Sequence, residues 1–377
     1  MARYQIAVMP GDGIGPDVIH EGVRALRAAC NRFPSIELEL ETLPAGAGEY
    51  LLNGKPLPDS TVERARAADA VLLGAMGLPE VRWPDGTEMA PQVELRFKLD
   101  LYAGIRPVKW FPGVPPVLAG KKPEDVDLVV VRESTEGLFA SLGAGVVLRN
   151  EVAVDQQVIT RVGTERVCRA AFEWARRRSA QRGRPGHVTC VDKANIFRSM
   201  AFFRQVFDEV AENYPDIGRG YEYVDACAMK LVRQPERFDV LVAENMFGDI
   251  LSDLAPALAG GLGIAPSADI GDDAAVFQPT HGTAPDIAGR GIANPLATIL
   301  SAAMLCDWLG DRREDPDLSA AGRLIHGAVE SGLAAGSLLG PDLGGDRTTS
   351  QIGDEVVRLL EAAVADQGIG SKQSASQ

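Results

Sequence analysis

A short apolar run at residues 6–9 ends in three closely spaced glycines, Gly11, Gly13 and Gly15, after which apolar positions recur at Val18, Ala25, Leu26 and Ala29 with helical spacing. The layout is strand, tight turn, helix. Further apolar runs of strand length fall at 36–43, 70–73, 127–131, 188–191, 221–224 and 238–243, with helix-like stretches between them. This alternation predicts an α/β fold with a largely parallel sheet. Two Pro- and Gly-rich segments, KWFPGVPPVLAGKKP at 109–123 and RRRSAQRGRPG at 176–186, predict surface connections. The small, polar residues 367–377 predict a disordered tail. No internal repeat is visible.

The length of 377 residues implies two domains, or one large α/β body with an insertion. A formal charge of −14, with no basic stripe along any helix, excludes nucleic acid as an expected partner. The start lacks a signal-peptide pattern and no later apolar run approaches membrane-spanning length, so a soluble cytoplasmic protein is expected. The five cysteines are widely spaced, without a CxxC pair, and are expected as thiols in or near the core.

Five stretches carry candidate chemistry. In GDGIGP the place of the third glycine of a dinucleotide-binding G-x-G-x-x-G loop is taken by Pro16, whose ring suits a helix's first turn but not a bare backbone contact. The Rossmann fingerprint therefore fails. Arg96, Arg106 and Arg132 lie near strand ends or turns; brought together they would clamp a molecule with several carboxylates, and apart they would be solvated surface arginines. In ENMFGDILSD, Asp249 and Asp253 fall one helical turn apart and could share a hard cation, with Asp225 of YVDAC a possible third oxygen ligand; a capping aspartate beside a solvated one is the alternative. In VDKANIF, Lys193 follows a strand end, where a lysine is either a general base or simply exposed, and Asn195 follows it. PTHGTAPDIAGRGIANP places His281, Gly282, Asp286 and Asn294 in a broken loop that could offer N–H groups to phosphates and an acid to a ribose diol.

Together and in this order, GDGIGP, LDLYAGIRP, DKANI, ENMFGDILSD and HGTAPDIAGRGIANP resemble the metal-dependent decarboxylating dehydrogenases of the isocitrate/isopropylmalate family, from about residue 6 to residue 360. The resemblance implies an isopropylmalate dehydrogenase-like two-domain α/β fold around a large mixed sheet, not a Rossmann fold. It implies a cofactor-side domain at 1–107 and 262–366 and a substrate and dimerisation domain at 108–261. It also implies NAD along His281, Gly282, Thr283, Ala284, Asp286, Ile287 and Asn294, edged by Ile14. Members preferring a phosphorylated ribose tend to carry lysine and tyrosine where this chain has Asp286 and Ile287, which favours NAD. Mg²⁺ or Mn²⁺ is implied on Asp249 and Asp253 with Asp225 of a second subunit. Lys193 and Asp225 are implied as catalytic, and Arg96, Arg106, Arg132, Asn195 and Gln92 as substrate-binding. A homodimer with shared active sites follows.

Departures from the family pattern bear on the substrate. Phe139 stands where most members have a proton-donating tyrosine, Gly104 where they have asparagine, and Gln278 where many have glutamate. The stretch before Arg96, TEMAPQVELR with Gln92 and Val93, matches neither the leucine-lined pattern of isopropylmalate enzymes nor the serine and asparagine of isocitrate enzymes. The expected reaction is oxidative decarboxylation of a malate-type 2-hydroxy diacid, such as 3-isopropylmalate, tartrate or D-malate. An isocitrate- or homoisocitrate-type activity, or a non-catalytic paralogue, is the alternative.

Overall fold

A computed structural model describes residues 1–363. The predicted tail at 367–377 lies outside the described residues. The fold is mixed α/β with a large sheet of ten strands and a separate two-stranded hairpin. In chain order the strands are β1 (Ala2–Gly11), β2 (Ile36–Thr42), β3 (Ala70–Ala75), β4 (Ala103–Lys109), β5 (Asp127–Glu133), β6 (Val146–Leu148), β7 (Val152–Val154), β8 (His187–Asp192), β9 (Gly218–Tyr223), β10 (Val240–Ala243), β11 (Pro266–Ile270) and β12 (Ala275–Pro279). The helices are α1 (Gly15–Cys30), α2 (Ala47–Asn53), α3 (Asp59–Ala67), α4 (Pro91–Lys98), α5 (Arg161–Arg182), α6 (Arg198–Ala211), α7 (Val224–Arg233), α8 (Asn245–Ala257), α9 (Leu296–Arg313), α10 (Pro316–Ala334) and α11 (Thr349–Ala362).

The chain divides into two compact units. The first comprises Met1–Pro91, Phe111–Pro115 and Phe277 onward, and the second Gln92–Trp110 and Pro116–Val276. In the first, β1 pairs in parallel with both β2 and β3, and α1 packs with α9, α10 and α11. Helix α1 buries Val18, Ile19, Ala25, Leu26 and Ala29 along one stripe, as the helical spacing predicts.

In the second unit the strands run β11-β4-β5-β10-β8-β9. Strands β5, β10, β8 and β9 are parallel, whereas β4 is antiparallel to both β5 and β11. The largely parallel sheet expected from alternation is thus mixed, because β4 and β5 are joined without a crossover helix between them.

Of the two expected surface connections, one differs from expectation and the other is anchored. Residues 176–182 continue α5 to Arg182, where Gly183 at φ 64° ends the helix, and Arg178 is buried against Asp239 at 2.7 Å and Asp127. The arginine run is the last part of a helix, not a loop, and its buried member Arg178 pairs with the half-buried Asp127 and Asp239. Within 109–123, Trp110, Phe111 and Val114 are buried, and a side chain at Gly113 would stand 2.0 Å from the Leu333 carbonyl of α10. The rest of that segment is mostly exposed, so it is a surface connection, held down by these apolar anchors.

All five cysteines are unpaired and buried. No helix among the described residues is long and apolar enough to cross a membrane. The β6–β7 hairpin exposes Val146, Val147, Leu148, Val152 and Val154, and α7 and α8 expose Met229, Val232 and Ile250.

Candidate functional site

Within the second unit the three arginines are buried, between 4% and 5% exposed. Arg132 is the penultimate residue of β5, and the sequence of α8 is shaped around it. Glu244 caps that helix by accepting from the N–H groups of Phe247, at 2.7 Å, and Met246, at 3.1 Å. Asn245 Oδ1 accepts from Arg132 Nε at 2.9 Å and Nη2 at 2.7 Å, while Asp249 accepts from Nη1. Gly248 lies between these two ligands, where a Cβ would stand 2.7 Å from Arg132 Cβ and Cγ. Any side chain there would push α8 off the arginine. The ring of Phe139 faces the same guanidinium, 5.0 Å from centroid to Cζ. Burial first, and then the charge of Arg96, push the Arg132 guanidinium down to about 10.

Arg96 and Arg106 meet on a residue the sequence did not single out. Asp269 of β11 is 2% exposed and accepts from Arg106 Nη2 at 2.9 Å and Arg96 Nη2 at 3.1 Å. Arg106 Nη1 also donates to the Ala268 carbonyl at 2.8 Å. Burial alone would raise the Asp269 carboxyl, but Arg106 and then Arg96 reverse this and hold it at about 2. Arg96 Nε and Gln92 Oε1 are buried without a hydrogen-bond partner. These orphaned atoms, both on side chains of α4, have unused capacity for a polar ligand.

On α8, Asp253 lies one turn beyond Asp249. Burial, followed by the Asp249 charge, raises its carboxyl. A like-charged carboxylate pair of this kind suits an oxygen-preferring divalent cation, which would relieve the repulsion. Asp225, in the first turn of α7, stands apart from this pair: its Oδ1 accepts from Lys193 Nζ at 2.5 Å, and this bond lowers its pKa. Among the described residues no three His, Cys, Asp or Glu side chains of one chain come together as a metal site.

Lys193 sits in the turn after β8. Asp192 before it is fully buried, accepts from Arg204 at 2.7 and 2.8 Å and holds the Ala194 N–H at 2.8 Å. This fixes the turn that presents Lys193, whose Nζ also lies 5.9 Å from the centre of the Tyr223 ring. Asn195 is exposed beside it.

In the first unit the GDGIGP turn is built against the HGTAP loop. The Ile14 N–H donates to the Thr283 carbonyl at 2.8 Å. Gly13, at φ +58°, has the same carbonyl 2.1 Å from where a Cβ would be. Ile14, Val18 and Ala293 form a buried cluster against which Ala284 and Ile287 pack. Asp12 accepts from the N–H groups of Ala47, Gly48 and Gly77 at 2.7, 2.8 and 2.8 Å, tying the turn to the start of α2 and the end of β3.

His281 Nδ1 lies 2.9 Å from the Gly282 carbonyl, an arrangement that makes Nδ1 the protonated nitrogen and leaves the buried Nε2 without a partner. Burial lowers its pKa. Gly282 and Asp286 are exposed. Asn294 is buried with both ends of its amide engaged: Oδ1 accepts from the Leu296 N–H at 3.0 Å and Nδ2 donates to Asp342 at 3.0 Å.

The isocitrate/isopropylmalate dehydrogenase family model matches residues 5–356. The chain is 41% identical to D-malate dehydrogenase [decarboxylating] of Escherichia coli (strain K12), with 96% of this chain and 99% of that protein covered. It is also 41% identical to 3-isopropylmalate dehydrogenase of Thermobifida fusca (strain YX), covering 97% and 98%. The crystal structure of isocitrate dehydrogenase from Methylococcus capsulatus superposes with a TM-score of 0.82 at 40% identity, over 95% of this chain and 99% of that one.

Proposed function

Because this chain belongs to the isocitrate/isopropylmalate dehydrogenase family, whose members are decarboxylating dehydrogenases of hydroxy acids, we propose that it oxidises and decarboxylates a malate-type 2-hydroxy dicarboxylic acid with NAD and Mg²⁺ or Mn²⁺. The observation that carries this reading is the burial of Arg96, Arg106 and Arg132 in one unit, close enough that the charges of Arg96 and Arg106 depress Arg132. Buried guanidiniums cost desolvation unless anions meet them; Asp269 and Asp249 meet part of this charge, and the carboxylates of a diacid would meet the rest.

In this reading Arg96, Arg106 and Arg132 orient the substrate carboxylates, with Gln92 and Asn195 at the edge. Asp249 and Asp253 hold the cation together with Asp225 of a second subunit. When bound, the cation would supply Lewis acidity at the substrate's hydroxyl oxygen, and NAD would supply the hydride-accepting capacity. Lys193, held by Asp225 and the fixed turn after Asp192, moves the hydroxyl proton. His281, Gly282, Thr283, Ala284, Ile287, Asn294 and Ile14 line the cofactor side. The exposed Asp286 carboxylate would accept from a ribose diol and repel a 2′-phosphate, which favours NAD over NADP. Phe139, stacked on Arg132, has no proton to give, so solvent or another group protonates the product carbon.

A homodimer is part of the proposal, with the apolar β6–β7 hairpin and the exposed apolar residues of α7 and α8 as its covered surfaces. The test is NADH formation with Mg²⁺ or Mn²⁺ on D-malate, tartrate, 3-isopropylmalate, isocitrate and homoisocitrate, with carbon dioxide followed in parallel. Equal amounts of both products from one hydroxy diacid support the reading. No NAD reduction with any of them would replace it with a non-catalytic binding role.

A further inference from the structure

Gly104 on β4 is flanked in register by Asp269 of β11 on one side and Arg132 of β5 on the other. Residues directly opposite one another in a sheet point to the same face, and so does Arg106, two positions along β4. One face of three adjacent strands therefore carries Asp269, a bare backbone at 104, Arg132 and Arg106. A Cβ at Gly104 would stand 3.1 Å from Asp269 Oδ1 and 2.8 Å from Ser134 Oγ. The missing side chain leaves room for the Asp269 carboxylate to lie over β4 and reach Arg106 at 2.9 Å and Arg96 at 3.1 Å.

We propose that Asp269 is a specificity-determining residue: an internal carboxylate, admitted by Gly104, that takes one anion's place between Arg96 and Arg106 and so restricts the site to dicarboxylates over tricarboxylates. This rests on the reading that these arginines receive substrate carboxylates. Each of the two guanidiniums donates one Nη2 N–H to Asp269, and Arg106 donates Nη1 to the sheet backbone. The donors remaining for a ligand are correspondingly fewer, with the unpartnered Nε of Arg96 prominent among them. A third carboxylate arriving here meets a fixed negative charge where it needs a positive one. Asp269 acts through the arginines and touches no reacting atom, so it positions and discriminates rather than catalyses.

The test is equilibrium binding of two non-reacting probes, succinate and propane-1,2,3-tricarboxylate, in metal-free buffer by calorimetry, for the wild type, Asp269→Asn and Asp269→Ser. The wild type is expected to prefer succinate. In a folded variant the tricarboxylate is expected to gain on succinate by on the order of tenfold, the worth of one charged hydrogen-bonding partner. A merely structural role would weaken both probes together and leave their ratio unmoved, which would overturn the proposal. Circular dichroism and melting temperature establish whether each variant is folded. If neither variant folds, the wild type decides alone, because equal or tighter binding of the tricarboxylate overturns the idea. Failure of the wild type to reduce NAD with any hydroxy diacid would sink the proposed reaction while leaving this binding ratio to stand or fall separately.

Discussion

Asp269 has a consequence for stability as well as for selectivity. Its carboxyl is held at about 2, below the value near 3.9 of an unfolded aspartate. A depressed folded-state pKa contributes stability that is fully present above the unfolded value and lost as pH falls through the folded one. The contribution here is on the order of 2 kcal/mol, present above about pH 4 and gone near pH 2. Urea unfolding of the wild type between pH 2 and 6 should show this acid limb, and Asp269→Asn should flatten it; an unchanged slope would show that the arginines do not hold the carboxylate in solution. The residue was not legible from sequence, because SADIGDD carries no motif spacing and only the β4–β11 register brings it to the arginines. The arginines themselves were legible as a set only through their neighbouring motifs, since spacing alone fits surface residues equally well. Asn245, Glu244 and Gly248 were visible as letters of ENMFGDILSD, but their service to Arg132 required the packing of α8 on β5.

At the scale of elements, strands β2, β3, β5, β8 and β10 follow the apolar runs, and α1 follows its helical stripe. The run at 221–224 is the end of β9, with α7 beginning at Val224, because β9 starts earlier on weakly apolar residues. Strands β4, β11 and β12 leave no clear apolar run in the sequence, because LYAGIRP and PSADI are short and interrupted by glycine, proline and charge. The turn between β1 and α1 looks like a phosphate loop but serves as a joint. Its Asp12 satisfies three backbone N–H groups from two other segments. Asp12→Ala would leave all three without their acceptor and is expected to cost about 3 kcal/mol or more. Chemical denaturation measures this directly, and a loss under 1 kcal/mol would mean water replaces the carboxylate.

For the whole molecule, the decisive question is whether one chain completes its own site. Lys193 and Asp225 pair with each other, whereas Asp249 and Asp253 sit together on α8. If the two groups serve one site from different subunits, Lys193→Met and Asp253→Asn will each be inactive as pure proteins. Unfolding and refolding them together should then recover about a quarter of wild-type activity, because half the dimers are mixed and each mixed dimer holds one intact site. A mixture that stays inactive, with mixed dimers confirmed by mass spectrometry, would place the whole site within one chain.

The buried thiols provide a built-in clock for motion in each unit. Cys30 and Cys306 belong to the first unit, and Cys168, Cys190 and Cys227 to the second. Burial pushes Cys227 up to about 12 and raises Cys168 and Cys190 as well, so the folded protein holds almost none of them as the reactive thiolate. Alkylation by a small electrophile at neutral pH therefore waits for transient opening, and peptide mapping of the label assigns each opening rate to its unit. Adding a diacid should slow labelling of the second set, and adding NAD should slow the first, so the same five sulfurs would report which ligand each half of the chain holds.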